Sequence, residues 1–242
     1  SIWSRTHIPK LLNGYCFMDK IAKYVIKILI LAGLSILFHL SSPSQIWAQA
    51  LPLHTERFLG DSVDAQAIME HIEKITGVKP IDGSRRLNNR FTEANKELTR
   101  EYLRQHLVKL GLTVEMEYFS HTAKGRAPLQ GINVIATLKG KSSPNEIIEV
   151  VAHFDSVNNF VVGADDNASG VAVGLEMARV FSQTLPDKTL RFVFTDLEEM
   201  GLLGAYGHIE HIKRKNEKIS AAIVIDTIGH HPISDQPVMD IV

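Results

Sequence analysis

Three places in the sequence put histidine or carboxylate at or just beyond the end of a strand-like apolar run. Residues 147–152 run Ile-Ile-Glu-Val-Val-Ala and stop at His153-Phe154-Asp155. Residues 190–194 lead into Glu198-Glu199, and residues 221–225 lead into Asp226. Between the first two lies Gly-Ala-Asp-Asp-Asn-Ala-Ser-Gly at 163–170, with Asp165 and Asp166 adjacent at a helix start. In an open α/β sheet, ligands sit beyond the carboxyl ends of the strands. Imidazole and carboxylate are donors that suit zinc, and a pair of metals can clamp a hydrolytic transition state. The pattern points to metal-assisted hydrolysis, with a peptide or small amide as substrate.

Each group also has a plainer reading. His153 and Asp155 are two apart at a strand end and face one side, so one can bind metal while the other fixes its tautomer. Alone, such a triplet carries little weight. Adjacent aspartates in an apolar setting repel and lose hydration unless a cation neutralises them. A helix N-cap accounts for one aspartate and Asn167. It accounts less well for the small residues on both sides, which suit a tight backbone close to a site. Glu198 and Glu199 diverge as neighbours, so one can hold metal while the other handles a proton. Apolar residues before and after them argue against a solvated acidic pair. Asp226 alone suits a turn, and it gains weight only from company.

The elements that must position these groups follow from periodicity. Residues 61–76 carry Ala65, Ile68, Met69, Ile72 and Ile75 at helical spacing, with Gly77 as a stop. A second helix runs from Thr92 to Gly111 and turns Ala94, Leu98, Tyr102, Leu103, Leu107 and Leu110 inward. His71 and His106 sit on these helices among charges and read as surface histidines. Arg85, Arg86 and Arg90 fall on the intervening loop with no assignable task. Strands are expected at 114–119, 132–138, 147–152, 190–194 and 221–225, with a turn-rich break at 140–145 and helices at 168–181 and 202–213. That alternation predicts a three-layer α/β/α fold with a mostly parallel, mixed central sheet.

Charge is balanced, with 26 Lys+Arg against 27 Asp+Glu, so nothing points to a nucleic-acid partner. A chain of 242 residues that is 45% apolar can build one sizeable core. Met18 is followed by Lys20, Lys23 and Lys27, an apolar run at 28–40, and Ala48-Gln49-Ala50. This is the layout of a secretory signal peptide cleaved after Ala50. The run is too short to span a bilayer, which takes about 20 apolar residues. Residues 1–17 then form an upstream segment, 18–50 the signal and 51–242 the domain. The expected location is periplasmic or extracellular, with no stable membrane anchor after cleavage. The lone cysteine, Cys16, lies upstream, so thiolate zinc sites and cysteine nucleophiles are excluded from the domain.

His-Phe-Asp-Ser at 153–156, the 163–170 run, Phe-Val-Phe-Thr-Asp-Leu-Glu-Glu-Met-Gly at 192–201 and the strand ending in Asp226 together resemble peptidase family M28. That family comprises zinc exopeptidases that include bacterial leucyl aminopeptidases. The resemblance covers roughly residues 61–242. It implies the zinc-dependent exopeptidase, or phosphorylase/hydrolase-like, fold and two zinc ions in a complete domain. It further implies that His153 and Asp226 bind one zinc, that Asp166 bridges both ions, and that Glu199 binds the other. Glu198 would be the general base, Asp155 the partner of His153, and the Asp166–Asn167 peptide would be cis. The family pattern also carries a histidine ligand some tens of residues after Asp226. Only 16 residues follow Asp226 here (242 − 226), and their histidines are His230 and His231. The expectation is therefore a domain whose C-terminal part is missing. Related alternatives are a glutaminyl cyclase, which shares the fold and uses one zinc, and a peptidase-like binding domain.

Overall fold

In a computed structural model of the chain, residues 59–122 and 127–229 are described. The expected signal segment, residues 1–17, His230 and His231 lie outside them. The chain divides into two compact units, one of Ser1–Gln66 with Gly229–Val242 and the other of Ala67–Ile228. Every candidate site residue belongs to the second. No helix among the described residues is long and apolar enough to cross a membrane.

The five expected strands form as β1 (Thr113–His121), β2 (Leu129–Leu138), β3 (Ser143–His153), β4 (Lys188–Thr195) and β5 (Lys218–Val224). They make one mixed sheet in the order β1-β2-β4-β3-β5. β3 pairs in parallel with β4 on one side and β5 on the other, while β1 and β2 run antiparallel at the far edge. β3 starts earlier than expected, because Ser143 already pairs with Lys188 before a register shift leads into Ile147. The helices are α1 (Ala65–Ile75), α2 (Glu93–Lys109), α3 (Gly170–Ser182) and α4 (Leu203–Lys215). The result is the expected three-layer α/β/α arrangement.

The two sheet faces differ in chemistry. Side chains alternate across a strand, and the registers align Val134, Phe194 and Ala152 on one face. Phe192, Phe194, Ile148 and Val134 are buried there, each large side chain contributing about 1.5–3 kcal/mol on leaving water. α3 packs on this face, where a Cβ on Gly174 would stand 3.1 Å from the Phe194 ring. The opposite face carries Glu117, Asn133, Glu149 and Arg191, all buried. α4 closes over it and brings His208 between Glu117 and Glu149.

Two helix faces differ from expectation. On α2, Ala94 is exposed and Lys96, Thr99 and Arg100 are buried instead. The cause is Asp196, fully buried at the end of β4, which accepts two bonds from Lys96 Nζ at 3.1 and 3.2 Å. His71 and His106 are not surface residues. Their rings meet edge to face at 4.6 Å between α1 and α2, and His71 Nδ1 lies 2.5 Å from the Tyr102 hydroxyl. Burial, reinforced by His106, holds the His71 pKa down at about 3.

Candidate metal centre

The site is built at the carboxyl ends of the three parallel strands. β3 ends in His153, whose side chain is 3% exposed. Asp155 follows, also buried, and its two oxygens accept the backbone N–H groups of Glu198 at 3.0 Å and Glu199 at 3.2 Å. Those bonds fix the turn after β4, in which Leu197 and Leu202 both take left-handed backbone angles. Such angles cost non-glycine residues about 1–2 kcal/mol each, so the turn depends on its hydrogen bonds. Asp155 Oδ1 lies 3.4 Å from His153 Nδ1, an ion-pair distance. Sequence reasoning paired Asp155 with the histidine; its firmest bonds go to the glutamate turn.

The second carboxylate-bearing segment is Ala164–Ser169, a single wide helical turn that contains a cis Asp166–Asn167 peptide. Asn167 is fully buried. Its Nδ2 donates to Ile225 O at 2.8 Å, and its Oδ1 accepts Gly170 N at 3.0 Å. A Cβ on Gly170 would stand 2.3 Å from that Oδ1 and 2.6 Å from Ile225 O, so only glycine lets the helix approach the strand end this closely. Ile225 in turn donates to Val151 O at 2.8 Å. This chain of contacts ties the end of β5 to the start of α3 and sets Asp226 beside Asp166. Asp165, the other member of the pair, instead accepts from Ser169 Oγ within the turn.

His153 Nε2 thereby faces Asp166 Oδ1 at 3.1 Å, Asp226 Oδ1 at 3.7 Å and Glu198 Oε2 at 3.9 Å. Neither ring nitrogen makes a hydrogen bond, although both are buried. Burial opposes the charged ring, but Asp155 and Asp226 outweigh it and raise the pKa to about 10. Burial also raises the Glu198 pKa, tempered by His153 and reinforced by Asp155. Glu199 is raised likewise, by burial and then by Asp166. This excess of negative charge around one imidazole is a cradle for a cation.

His153, Asp166 and Asp226 offer donor atoms that all lie within 4.8 Å of one another. Tetrahedral ligands about 2.0–2.1 Å from zinc stand about 3.3 Å apart, which the 3.1 and 3.7 Å separations bracket. The donor set and the unpartnered imidazole fit zinc. Glu199 is not a member of that group of three. Sequence reasoning missed Arg90 and Asn167, both wholly buried beside the site. Asn167 lay inside a recognised run, whereas nothing local marked Arg90.

Residues 133–235 match the model of peptidase family M28. A protein of Pyrenophora tritici-repentis described as "Probable zinc metalloprotease" is 36% identical over 115 residues, covering 45% of this chain and 26% of that one. The aminopeptidase YwaD of Bacillus subtilis is 44% identical over 99 residues, covering 40% of this chain and 22% of its own. The matched stretch thus spans about a quarter of either relative. Among solved structures, LapB from Legionella pneumophila superimposes with a TM-score of 0.59 at 24% identity, covering 74% of this chain and 47% of LapB. Fimbriiglobus ruber glutaminyl cyclase gives 0.56 at 17% identity, covering 68% and 61%. These two likenesses establish the shared fold.

Proposed function

We propose that the chain provides the metal-holding part of a zinc-dependent exopeptidase, an aminopeptidase that removes N-terminal residues from peptides. The observation that carries this reading is the buried, unbonded His153 ring facing Asp166, Asp226 and Glu198. His153 and Asp226 would hold one zinc, Asp166 would bridge to a second, and Glu199 would hold that second ion. When bound, zinc supplies Lewis-acid polarisation of the scissile carbonyl and makes a nearby water more acidic.

The chain's own residues account for the rest. Glu198, with its pKa raised by burial, takes a proton from the attacking water and returns it to the leaving amine. Asp155 holds the backbone N–H groups of Glu198 and Glu199, which aims both carboxylates from one anchor. Residues 18–50 are proposed as an export signal, which would deliver the enzyme to the periplasm or beyond the cell.

The test measures zinc per chain together with leucine-anilide hydrolysis, with and without chelator, and with Glu198→Gln as control. Bound zinc and chelator-sensitive turnover that the control loses are expected. Cyclisation of N-terminal glutamine in place of anilide hydrolysis would replace this reading with a glutaminyl cyclase, whose fold the chain shares. Peptide binding without zinc would favour a binding domain.

A further inference from the structure

Arg90 is fully buried at the end of the loop before α2. Its Nε donates to Phe154 O at 2.6 Å. Nη1 donates to Val162 O, and to Ile75 O at 3.4 Å. Nη2 reaches Gly163 O at 2.8 Å and Asp166 O at 3.5 Å. Its own backbone N donates to Ser156 Oγ at 3.0 Å. One planar fork therefore grips both ends of the segment that runs from His153 to Asp166. Gly163 supports the same arrangement: its backbone is left-handed, and a Cβ there would stand 2.0 Å from Asp166 O and 2.7 Å from Arg90 Nη2.

The guanidinium pairs with carbonyls and not with a carboxylate, yet Asp155, Asp166 and Glu199 are close enough to favour its charge against the burial that pulls its pKa down to about 10. A buried cation beside a cation site works against metal binding by charge alone. Its retention there is explained by geometry.

We propose that Arg90 is a positioning residue for the metal centre, fixing the spacing of His153 and Asp166 by clasping the loop between them. This rests on the zinc reading given above. Lysine keeps the charge but has one nitrogen, which cannot span carbonyls on both sides of the loop. Outer-shell partners of metal ligands are worth about 10- to 100-fold in metal affinity.

The test uses the full chain, with zinc affinity measured against a competing chromophoric chelator and ligand geometry read from the visible spectrum of the cobalt form. Arg90→Lys is expected to weaken zinc by about 10- to 100-fold and to shift the cobalt bands. Arg191→Lys, which alters a buried arginine outside the site, should leave both readouts unchanged. Equal affinity and an identical cobalt spectrum for wild type and Arg90→Lys would overturn the proposal while leaving the zinc reading intact. No zinc binding by wild type would overturn both. If Arg90→Lys does not fold, Ser156→Ala decides the matter, since it loosens the same clasp and spares the guanidinium. Weaker zinc at unchanged metal-free melting temperature supports the clasp, and unchanged affinity overturns it.

Discussion

His153 and His208 are both buried histidines among carboxylates, on the same side of one sheet, yet they end in opposite states. His208 Nδ1 lies 3.1 Å from Glu117 Oε2, and its Nε2 lies 3.0 Å from Glu149 Oε1. Both glutamates are buried and have further partners, Asn133 for Glu117 and Arg191 for Glu149. His153 has four carboxylates within 4 Å, Asp155, Asp166, Glu198 and Asp226, and hydrogen-bonds to none. Its neighbours Asp166 and Asp226 are about half exposed. A closed polar network rigidifies a fold, and here it fastens α4 across β1 and β3. An open one, with a basic nitrogen left unpaired, waits for something to complete it. The same residue types thus make a rivet in one place and a receptacle in the other.

The contrast can be broken in several ways. The largest effect is expected from Glu198→Gln, which should lower turnover by about 10²- to 10⁴-fold while zinc content stays that of wild type, measured by anilide hydrolysis and metal analysis. His208→Ala should cost about 1–3 kcal/mol of stability, because it takes one partner from each of two buried glutamates, and should leave zinc affinity unchanged. Denaturant unfolding checks it, and an equal loss of zinc affinity would erase the distinction between the two histidines. For His153→Ala the pattern reverses. Zinc at 100 times its dissociation constant should stabilise wild type by about 2.7 kcal/mol, and the variant should show no zinc-dependent rise in melting temperature.

Acidity sharpens the comparison further. Burial opposes protonation of His208, but Glu117 and Glu149 hold its pKa up at about 9; His211 also faces Glu117 at 3.4 Å. Because the folded pKa exceeds the unfolded one, this stabilisation is full below about pH 6.5 and is lost as pH rises through about 9. His71 has the opposite sign. Its depressed pKa gives stability that is present above about pH 6.5 and is lost as pH falls toward 3. Melting curves across pH should show the alkaline decline flattened in His208→Gln. The acid-side decline should be flattened in His71→Phe.

Much of the candidate metal site was legible because its groups stop apolar runs. His153, Glu198 and Glu199 follow runs that form buried strands, Asp226 follows an apolar run whose strand is partly exposed, and the 163–170 run is rich in small residues at a helix start. The order and direction of β1 and β2 were not legible, since pairing is set by distant partners. Nor was the buried charge. Glu117 alternates with apolar residues as solvent-facing positions do, Glu149 interrupts an apolar run, and the shared partner of both, His208, is 91 and 59 residues away. Lys96 and Arg100 likewise look solvated until Asp196, 100 residues from Lys96, is brought beneath them. Arg90 donates to carbonyls, which every residue has, so no pattern of side chains could announce its partners.

The three donors that face one another are 13 and 60 residues apart along the chain (166 − 153 and 226 − 166); two come from ends of strands that must first pair and the third, Asp166, from the turn that leads into α3. Closing loops of that length has an entropic cost that only the finished sheet offsets. Metal therefore has nothing to hold in the unfolded chain and cannot act as a seed. On the proposed zinc reading it would arrive last, as a seal on a completed assembly, and a chain that had captured it would be one whose three parallel strands are already side by side.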